Sequence, residues 1–335
     1  MAAKRGVQIP TGINEVIVKL GAREVRLTNL RKPFWKKLGI TKGDLLQYYA
    51  DVSPWLLPHV HDRAMVMKRY PNGAEGDFFY MKRAPEPRPE WIEICEIDHG
   101  SAGRINFPIV QDLPSLLWLI NLGCIDLNPH PVRADDLDHP DELRVDLDPV
   151  AGVRWTTVRK VGTVVHEVLE ELGLTGYAKT SGKRGLHVYV RLKPRWTYEQ
   201  VRRCALALAR EVERRAPRIA TTKWWKEERH GVFIDYNQNA RDRTIAGAYS
   251  VRPTPEATVS APIEWSELAD CDPRDFTLAT MPERFRAKGD PHGRMDAHRH
   301  SLSRLIDLAD RQESEGRQEA PWPPTRPPEA LVRRL

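Results

Sequence analysis

The chain has 335 residues, 41% of them hydrophobic and 29% charged, an ordinary globular composition with length for about one to three domains. Lys and Arg number 52 against 46 Asp and Glu, a net charge of +6 with a pI of about 9.1, which favours a polyanionic partner. No apolar run approaches the roughly 18 residues of a membrane span, Met1-Ala2-Ala3-Lys4-Arg5 has no apolar signal-peptide core, and Cys95, Cys124, Cys204 and Cys271 form no C-x-x-C. These features argue against a membrane protein, a zinc ribbon and a disulfide scaffold; a cytoplasmic protein with reduced, mostly buried thiols is expected.

Residues 1–24 read as a polar lead-in with a strand at Glu15-Val16-Ile17-Val18. Thr41 is placed to cap a helix through Leu45-Leu46-Gln47-Tyr48-Tyr49, with Lys32 and Lys42 flanking its start. A helix start suits phosphate, although lysines so spaced are often solvated surface residues. Ala64 to Tyr70 reads as a strand running into the turn Pro71-Asn72-Gly73. A second strand follows at Phe78-Phe79-Tyr80-Met81-Lys82, with Trp91 to Ile94 as a possible partner. Adjacent Phe78 and Phe79 cannot both face one core from a regular strand, so at least one is exposed or offered to a partner such as a base.

Leu113 to Leu122 reads as an apolar helix stopped by Gly123, leading into a short strand at Ile125-Asp126-Leu127-Asn128 and the loop Pro129-His130-Pro131. Leu143-Arg144-Val145-Asp146-Leu147-Asp148-Pro149 follows, an apolar strand with two acids one residue apart. Side chains alternate along a strand, so Asp146 and Asp148 share a face with Cα atoms roughly 6 to 7 Å apart, while Val145 and Leu147 face the core. Two carboxylates on one face suit a cation, although such pairs also occur as surface acids.

Thr156 to Leu172 has helical periodicity, ended by Gly173. The stretch Tyr177 to Val190 is a hairpin whose turn, Ser181-Gly182-Lys183-Arg184-Gly185, combines a hydroxyl, two glycines and two cations, with His187 on the returning strand. That is a triphosphate-like cradle or a solvated glycine turn, and it is not a G-x-x-x-x-G-K-[ST] loop. A basic helix spans Trp196 to Arg215. Gly231 to Asn239 then repeats the earlier design, an apolar strand with Asp235 at its end and Gln238 beyond, and Arg252 follows in Tyr249-Ser250-Val251-Arg252-Pro253. Asp235 is the candidate third acid. A last helix is expected near Ser301 to Gln312, before a Pro-rich end at Pro321 to Pro328.

Lys68-Arg69-Tyr70-Pro71-Asn72-Gly73, Phe78 to Lys82, Asp146-Leu147-Asp148-Pro149, Thr180 to His187, Asp235 to Asn239 and Tyr249 to Arg252 occur in an order that resembles the archaeo-eukaryotic primase superfamily. The chain is most similar to the polymerase domain of bacterial end-joining ligases and its stand-alone actinobacterial relatives, over roughly residues 25 to 290. The resemblance implies an α+β fold, two mixed or antiparallel sheets flanked by helices with the active-site cleft between them. On the same resemblance residues 25–290 would form the catalytic domain, with 1–24 as an N-terminal lead-in and 291–335 as a C-terminal helix and Pro-rich tail.

It implies Asp146, Asp148 and Asp235 as catalytic ligands of two divalent ions, Mn²⁺ or Mg²⁺. Lys68, Asn128, His130, Ser181, Lys183, Arg184, Gly185, His187, Gln238 and Arg252 would hold the incoming NTP or dNTP. Phe78, Phe79 and Lys82 would meet template, and Lys32 and Lys42 the 5′-phosphate of a gap. Asn128 stands where these relatives usually have a histidine near the sugar, with His130 two positions on, and Lys183-Arg184 brings an extra cation into their Ser-Gly-Ser-Lys-Gly loop. The implied activity is template-directed primer extension and short-gap filling in DNA repair, in an end-joining or base-excision setting, with ribonucleotides accepted. The implied protein is a nucleoid-associated monomer working beside a separate DNA ligase. A non-catalytic gap-binding module and a de novo primase are the competing readings, and three clustered acids argue against a pure binder.

Overall fold

The structure is a computed structural model in which residues 6–98 and 103–322 are described; most of the Pro-rich end lies outside them. The lead-in forms a hairpin, β1 (Glu15–Leu20) with β2 (Arg23–Thr28), followed by a short pair, β3 (Pro33–Trp35) with β4 (Ile40–Thr41). Thr41 caps α1 (Lys42–Val60) through a reciprocal box with Asp44. This helix continues well past Tyr49, through Pro54 and Pro58. Pro54 has no N–H to give the Ala50 carbonyl, and the Ser53 hydroxyl donates to it instead at 2.9 Å.

Next come β5 (Met65–Arg69), β6 (Phe79–Met81), β7 (Ile94–Asp98), β8 (Arg104–Pro108), α2 (Leu113–Asn121) and β9 (Cys124–Pro129). They make a three-stranded antiparallel sheet ordered β6-β5-β9 and a separate β7-β8 ribbon. The expected pairing of the Phe78–Lys82 strand with Trp91–Ile94 is therefore corrected: β6 pairs with β5, Tyr80 opposite Lys68. The connection holds Pro85, Pro87 and Pro89, which cannot donate to a ladder, and the next strand starts only at Ile94.

The second half builds the larger sheet from β10 (Glu142–Pro149), α3 (Trp155–Glu171), β11 (Tyr177–Thr180), β12 (Leu186–Arg191), α4 (Tyr198–Arg215), β13 (Ala220–Thr221) and β14 (Val232–Ile234). Strand order is β11-β12-β10-β14-β13, antiparallel except for the last pair. Leu143, Val145 and Leu147 are buried on the face that α3 and α4 cover. At about 1.5 to 3 kcal/mol for each such side chain, this burial sets the strand's register, because a slip of one residue would put the acids into the core. α5 (Met281–Lys288), which has no counterpart among the sequence expectations, packs on α1, and α6 (Ser303–Ser314) packs on α4. No helix among the described residues is long and apolar enough to cross a membrane. The four cysteines are free, three of them buried.

Candidate active site

Between the two sheets lies a cleft of about 430 Å³. Lys68, Tyr80, Asp126 and Asn128 line it from the small sheet; Asp146, Asp148, His187 and the turn Ser181 to Gly185 line it from the large one, joined by Thr244 to Ala246 and Arg252. Asp146 and Asp148 leave β10 on the same side, and Asp235 arrives where β14 ends, its N–H donating to the Asp146 carbonyl at 2.8 Å. One carboxylate oxygen from each of the three lies within 4.8 Å of the others.

The electrostatics of this trio are unfavourable without a cation. Burial raises the Asp146 carboxyl well above its ordinary range, and Asp148 and Asp235 raise it further. Burial next to Asp148 raises Asp235. Asp148 opens to solvent at the rim, yet partial desolvation still raises it against the pull of Arg229, Arg252 and Lys183. Asp146 Oδ1 is buried and makes no hydrogen bond among the described residues, with His187 Nε2 standing off at 3.4 Å. Clustered acids with a vacant buried lone pair fit a hard divalent cation with oxygen ligands.

The rest of the cleft wall is cationic, both beside the acids at the hairpin turn of the large sheet and across from them at Lys68 on the small one. Lys68 and Lys183 are both pulled below the ordinary lysine range, by burial first and then by neighbours including Arg252. The Ser181 hydroxyl accepts from the N–H groups of Lys183 at 3.2 Å and Gly185 at 3.0 Å, leaving its own hydrogen to donate outward. Glycine is required twice in this turn. Gly182 has φ +68° and a Cβ there would meet Arg252 Cγ at 2.4 Å; at Gly185 it would meet the Leu147 carbonyl at 2.4 Å. The Arg184 guanidinium is pinned to the Val150 carbonyl at 2.9 Å.

Of the other candidate residues, Lys68, Asn128, His187 and Arg252 line the cleft, whereas Phe78, Phe79, Lys82, Gln238 and Lys32 are not part of its lining. Lys68 holds its ammonium 3.8 Å from the centre of the Phe78 ring. Phe78 and Phe79 are both exposed, on opposite faces of the edge strand: Phe78 tilts onto Tyr70, whereas Phe79 lies over Arg69. Asn128 donates to the Asp126 carboxylate at 3.2 Å, and Gln238 donates to Asp235 at 3.2 Å. Lys82 is half-buried just beyond β6, and Lys32 reaches Asn72 at 3.3 Å.

Two candidates are placed differently from expectation. His130 does not line the cleft; after Pro129 the chain turns away, and His130 is buried edge-on at 5.2 Å to Phe107, part of a small apolar cluster with Ala64, Val66, Ile97 and Ile109. Lys42 is turned inward, donating to the Thr28 carbonyl at 2.7 Å and to Asn121 at 2.8 Å, and burial lowers its pKa to about 8.

Sequence reasoning overlooked Lys179 and Asp126. Lys179 is fully buried beneath the cleft and donates to the Ala246 carbonyl at 2.8 Å and Ser260 Oγ at 2.6 Å, with His187 Nδ1 also at 2.6 Å. Its signal was available, since the tight hairpin sets Lys179 directly opposite His187. Burial first, and then the neighbouring Lys179, push His187 well below its ordinary range, so the ring is neutral, while burial pulls Lys179 itself well below the ordinary lysine range. Asp126 is buried opposite Lys68 and 3.4 Å from the Arg252 guanidinium.

A sequence model of the LigD primase-polymerase domain matches residues 41–292. The chain is 32% identical over 276 residues to a multifunctional non-homologous end joining protein LigD from Mycolicibacterium smegmatis, covering 82% of this chain and 36% of that relative. It is 31% identical over 271 residues to a bifunctional LigD from Bacillus subtilis, covering 80% of this chain and 43% of that one. It thus spans less than half the length of these curated relatives. Among solved structures, the polymerase domain from Mycobacterium tuberculosis ligase D, determined in complex with DNA, superposes with a TM-score of 0.77 at 29% identity, covering 82% of this chain and 98% of that one. With an acid trio beside a cationic turn in a cleft between two sheets, and a family match over most of its length, the chain belongs to the LigD primase-polymerase domain family of nucleotidyltransferases.

Proposed function

We propose that this protein extends a DNA primer opposite a template and fills short gaps during DNA repair, accepting ribonucleotides as well as deoxyribonucleotides. The observation that carries the reading is the convergence of Asp146, Asp148 and Asp235 beside the Ser181–Gly185 turn, in one cleft with Lys68 and Arg252. Nucleotidyl transfer needs no covalent protein intermediate; it needs a positioned primer 3′-hydroxyl, a positioned triphosphate and neutralisation of developing charge. Asp146, Asp148 and Asp235 would hold two divalent ions, Mn²⁺ or Mg²⁺, which when bound supply the Lewis acidity that activates the hydroxyl and steadies the leaving pyrophosphate.

The remaining work falls to the chain's own groups. Ser181 donates its hydroxyl hydrogen to a phosphate oxygen, the neutral His187 ring offers Nε2 beside Asp146, and Lys183, Arg184 and Arg252 meet the triphosphate charge. Lys68, braced on Phe78, sits on the opposite wall, and Asn128 takes the position nearest the sugar, its amide oriented by Asp126. Exposed Phe78 and Phe79, with half-buried Lys82 beside them, form the template edge, and Lys32 is the first contact for a downstream 5′-phosphate, with the buried Lys42 behind it. A separate DNA ligase would then seal the nick.

Primer extension in a short gap with a 5′-phosphorylated downstream strand tests this, with ribonucleotides and deoxyribonucleotides each supplied with Mn²⁺ and with Mg²⁺. Filling of the gap with both sugars is expected. Tight binding of gapped DNA with no incorporation under any condition would leave only a ligase-recruiting binding module, and products formed without a primer would mark a de novo primase.

A further inference from the structure

On leaving α6 the chain reverses at Gly316 and runs back along α4 as a strap, residues 317–322. Arg210 donates to the Gln318 carbonyl, and Arg202 Nη2 donates to the carbonyls of Ala320 at 3.0 Å and Pro321 at 2.7 Å. The Trp322 ring covers the Arg202 guanidinium at 4.0 Å, with its indole N–H tied to Glu319 at 2.8 Å. Arg202 is thereby only 1% exposed, yet among the described residues no carboxylate lies closer to it than Glu319 at 3.6 Å. A buried guanidinium is costly unless its donors are matched, and here the strap supplies two of the acceptors.

The inner edge of the same guanidinium faces the acid trio. Arg202 Nε donates to Asn237 Oδ1 at 2.8 Å, and the Asn237 N–H donates to Asp235 Oδ1 at 3.0 Å. Asn239, two residues on, locks the turn to β10 through paired bonds with the Arg144 backbone at 2.8 and 2.7 Å. One short chain of hydrogen bonds therefore runs from the strap, through Arg202 and Asn237, to a candidate metal ligand.

We propose that Arg202 is a positioning residue that sets the orientation of Asp235 through Asn237, and that the strap 317–322 is the element that holds Arg202 to this task. The strap lies beyond the 41–292 span of the family match, so it adds a support for the acid trio from outside that core. Planar geometry matters here: the Arg fork reaches Asn237 with one nitrogen and the strap with another, which a lysine ammonium on a flexible stem cannot reproduce. The proposal rests on the reading of Asp235 as a metal ligand.

The test is Mn²⁺ affinity of the full chain, with the metal alone, read by electron paramagnetic resonance of the free ion, alongside circular dichroism and the affinity for gapped DNA. Outer-shell partners commonly contribute about 10- to 100-fold to metal affinity; Arg202→Lys, two bonds removed, is expected to weaken Mn²⁺ binding about tenfold and Trp322→Ala about threefold. Gapped-DNA affinity should stay constant. Arg203→Ala is the control, because Arg203 ties α4 to α6 through Glu313 and Asp310 without reaching the turn; its Mn²⁺ affinity should equal that of the unaltered protein. If Asp235→Asn weakens Mn²⁺ binding while folded Arg202→Lys and Trp322→Ala do not, the strap's role is overturned and the metal reading stands. If Asp235→Asn binds Mn²⁺ normally, the metal reading falls and the proposal with it.

Discussion

The two ends of β10 carry buried charge in opposite ways. At its start, Glu142 and its neighbour Asp141 are wrapped by Arg63, Arg144 and Arg191, with Arg63 reaching Asp141 at 2.8 Å, Arg144 reaching Glu142 at 2.7 Å and Arg191 reaching both at 3.0 Å. Burial alone would raise these carboxyls, but the guanidinium groups hold both below their ordinary range, Glu142 far below it. At the other end, Asp146 and Asp148 meet a third acid instead, and burial with like charge drives Asp146 up. Glu142, Arg144, Asp146 and Asp148 all lie on one face of the strand. Compensated charge is a structural clasp, whereas uncompensated charge on the same scaffold is a vacancy for a cation.

The comparison breaks most sharply at the acids. Asp148→Asn and Asp235→Asn should each lower primer extension by about 10³-fold, the scale of one preorganised electrostatic group, with circular dichroism unchanged. The clasp should respond in stability instead. Arg63→Met leaves Asp141 and Glu142 short of their partner, and breaking a buried ion pair from one side costs about 3 to 5 kcal/mol, measurable by urea unfolding.

The pH dependence of Tm sharpens the contrast, because the two ends have opposite signs. Asp141 and Glu142 have lowered pKa values in the folded state, so their stabilisation is present above the unfolded values of about 4 and is lost as pH falls. Asp146 and Asp235 have raised values, so the metal-free protein loses stability as pH rises above about 4 and through those values. Asp146→Asn should therefore raise the metal-free Tm at neutral pH, and Arg63→Met should flatten the loss on the acid side. The smallest effect is expected at the phosphate turn. Gly185→Ala forces a Cβ toward the Leu147 carbonyl, a strain of about 1 to 3 kcal/mol that should raise the nucleotide KM while leaving gapped-DNA affinity unchanged.

Much of this contrast was legible in the chain itself. The alternation Leu143, Val145, Leu147 against Asp146, Asp148 gave the strand and the shared face of the acids, and Thr41, Gly123 and Gly173 marked helix ends because capping and left-handed backbone are local events. Asp235 was found because β14 repeats the design of β10. What the sequence hid were long-range pairings. Lys42 and Asn121 meet across 79 positions and Arg202 meets Ala320 across 118, so neither the inward turn of Lys42 nor the strap has a local signature. Likewise His130, adjacent to the site in sequence, is carried away by the turn after β9.

The most direct measurement is Mn²⁺ binding by electron paramagnetic resonance, with a non-hydrolysable nucleotide present, compared between the unaltered chain and Asp146→Asn. Two Mn²⁺ per chain and their loss in the variant are the predicted result. An Asp146→Asn protein that holds Mn²⁺ as tightly as the unaltered chain and still extends primers would contradict the assignment of the uncompensated acids as the catalytic metal site.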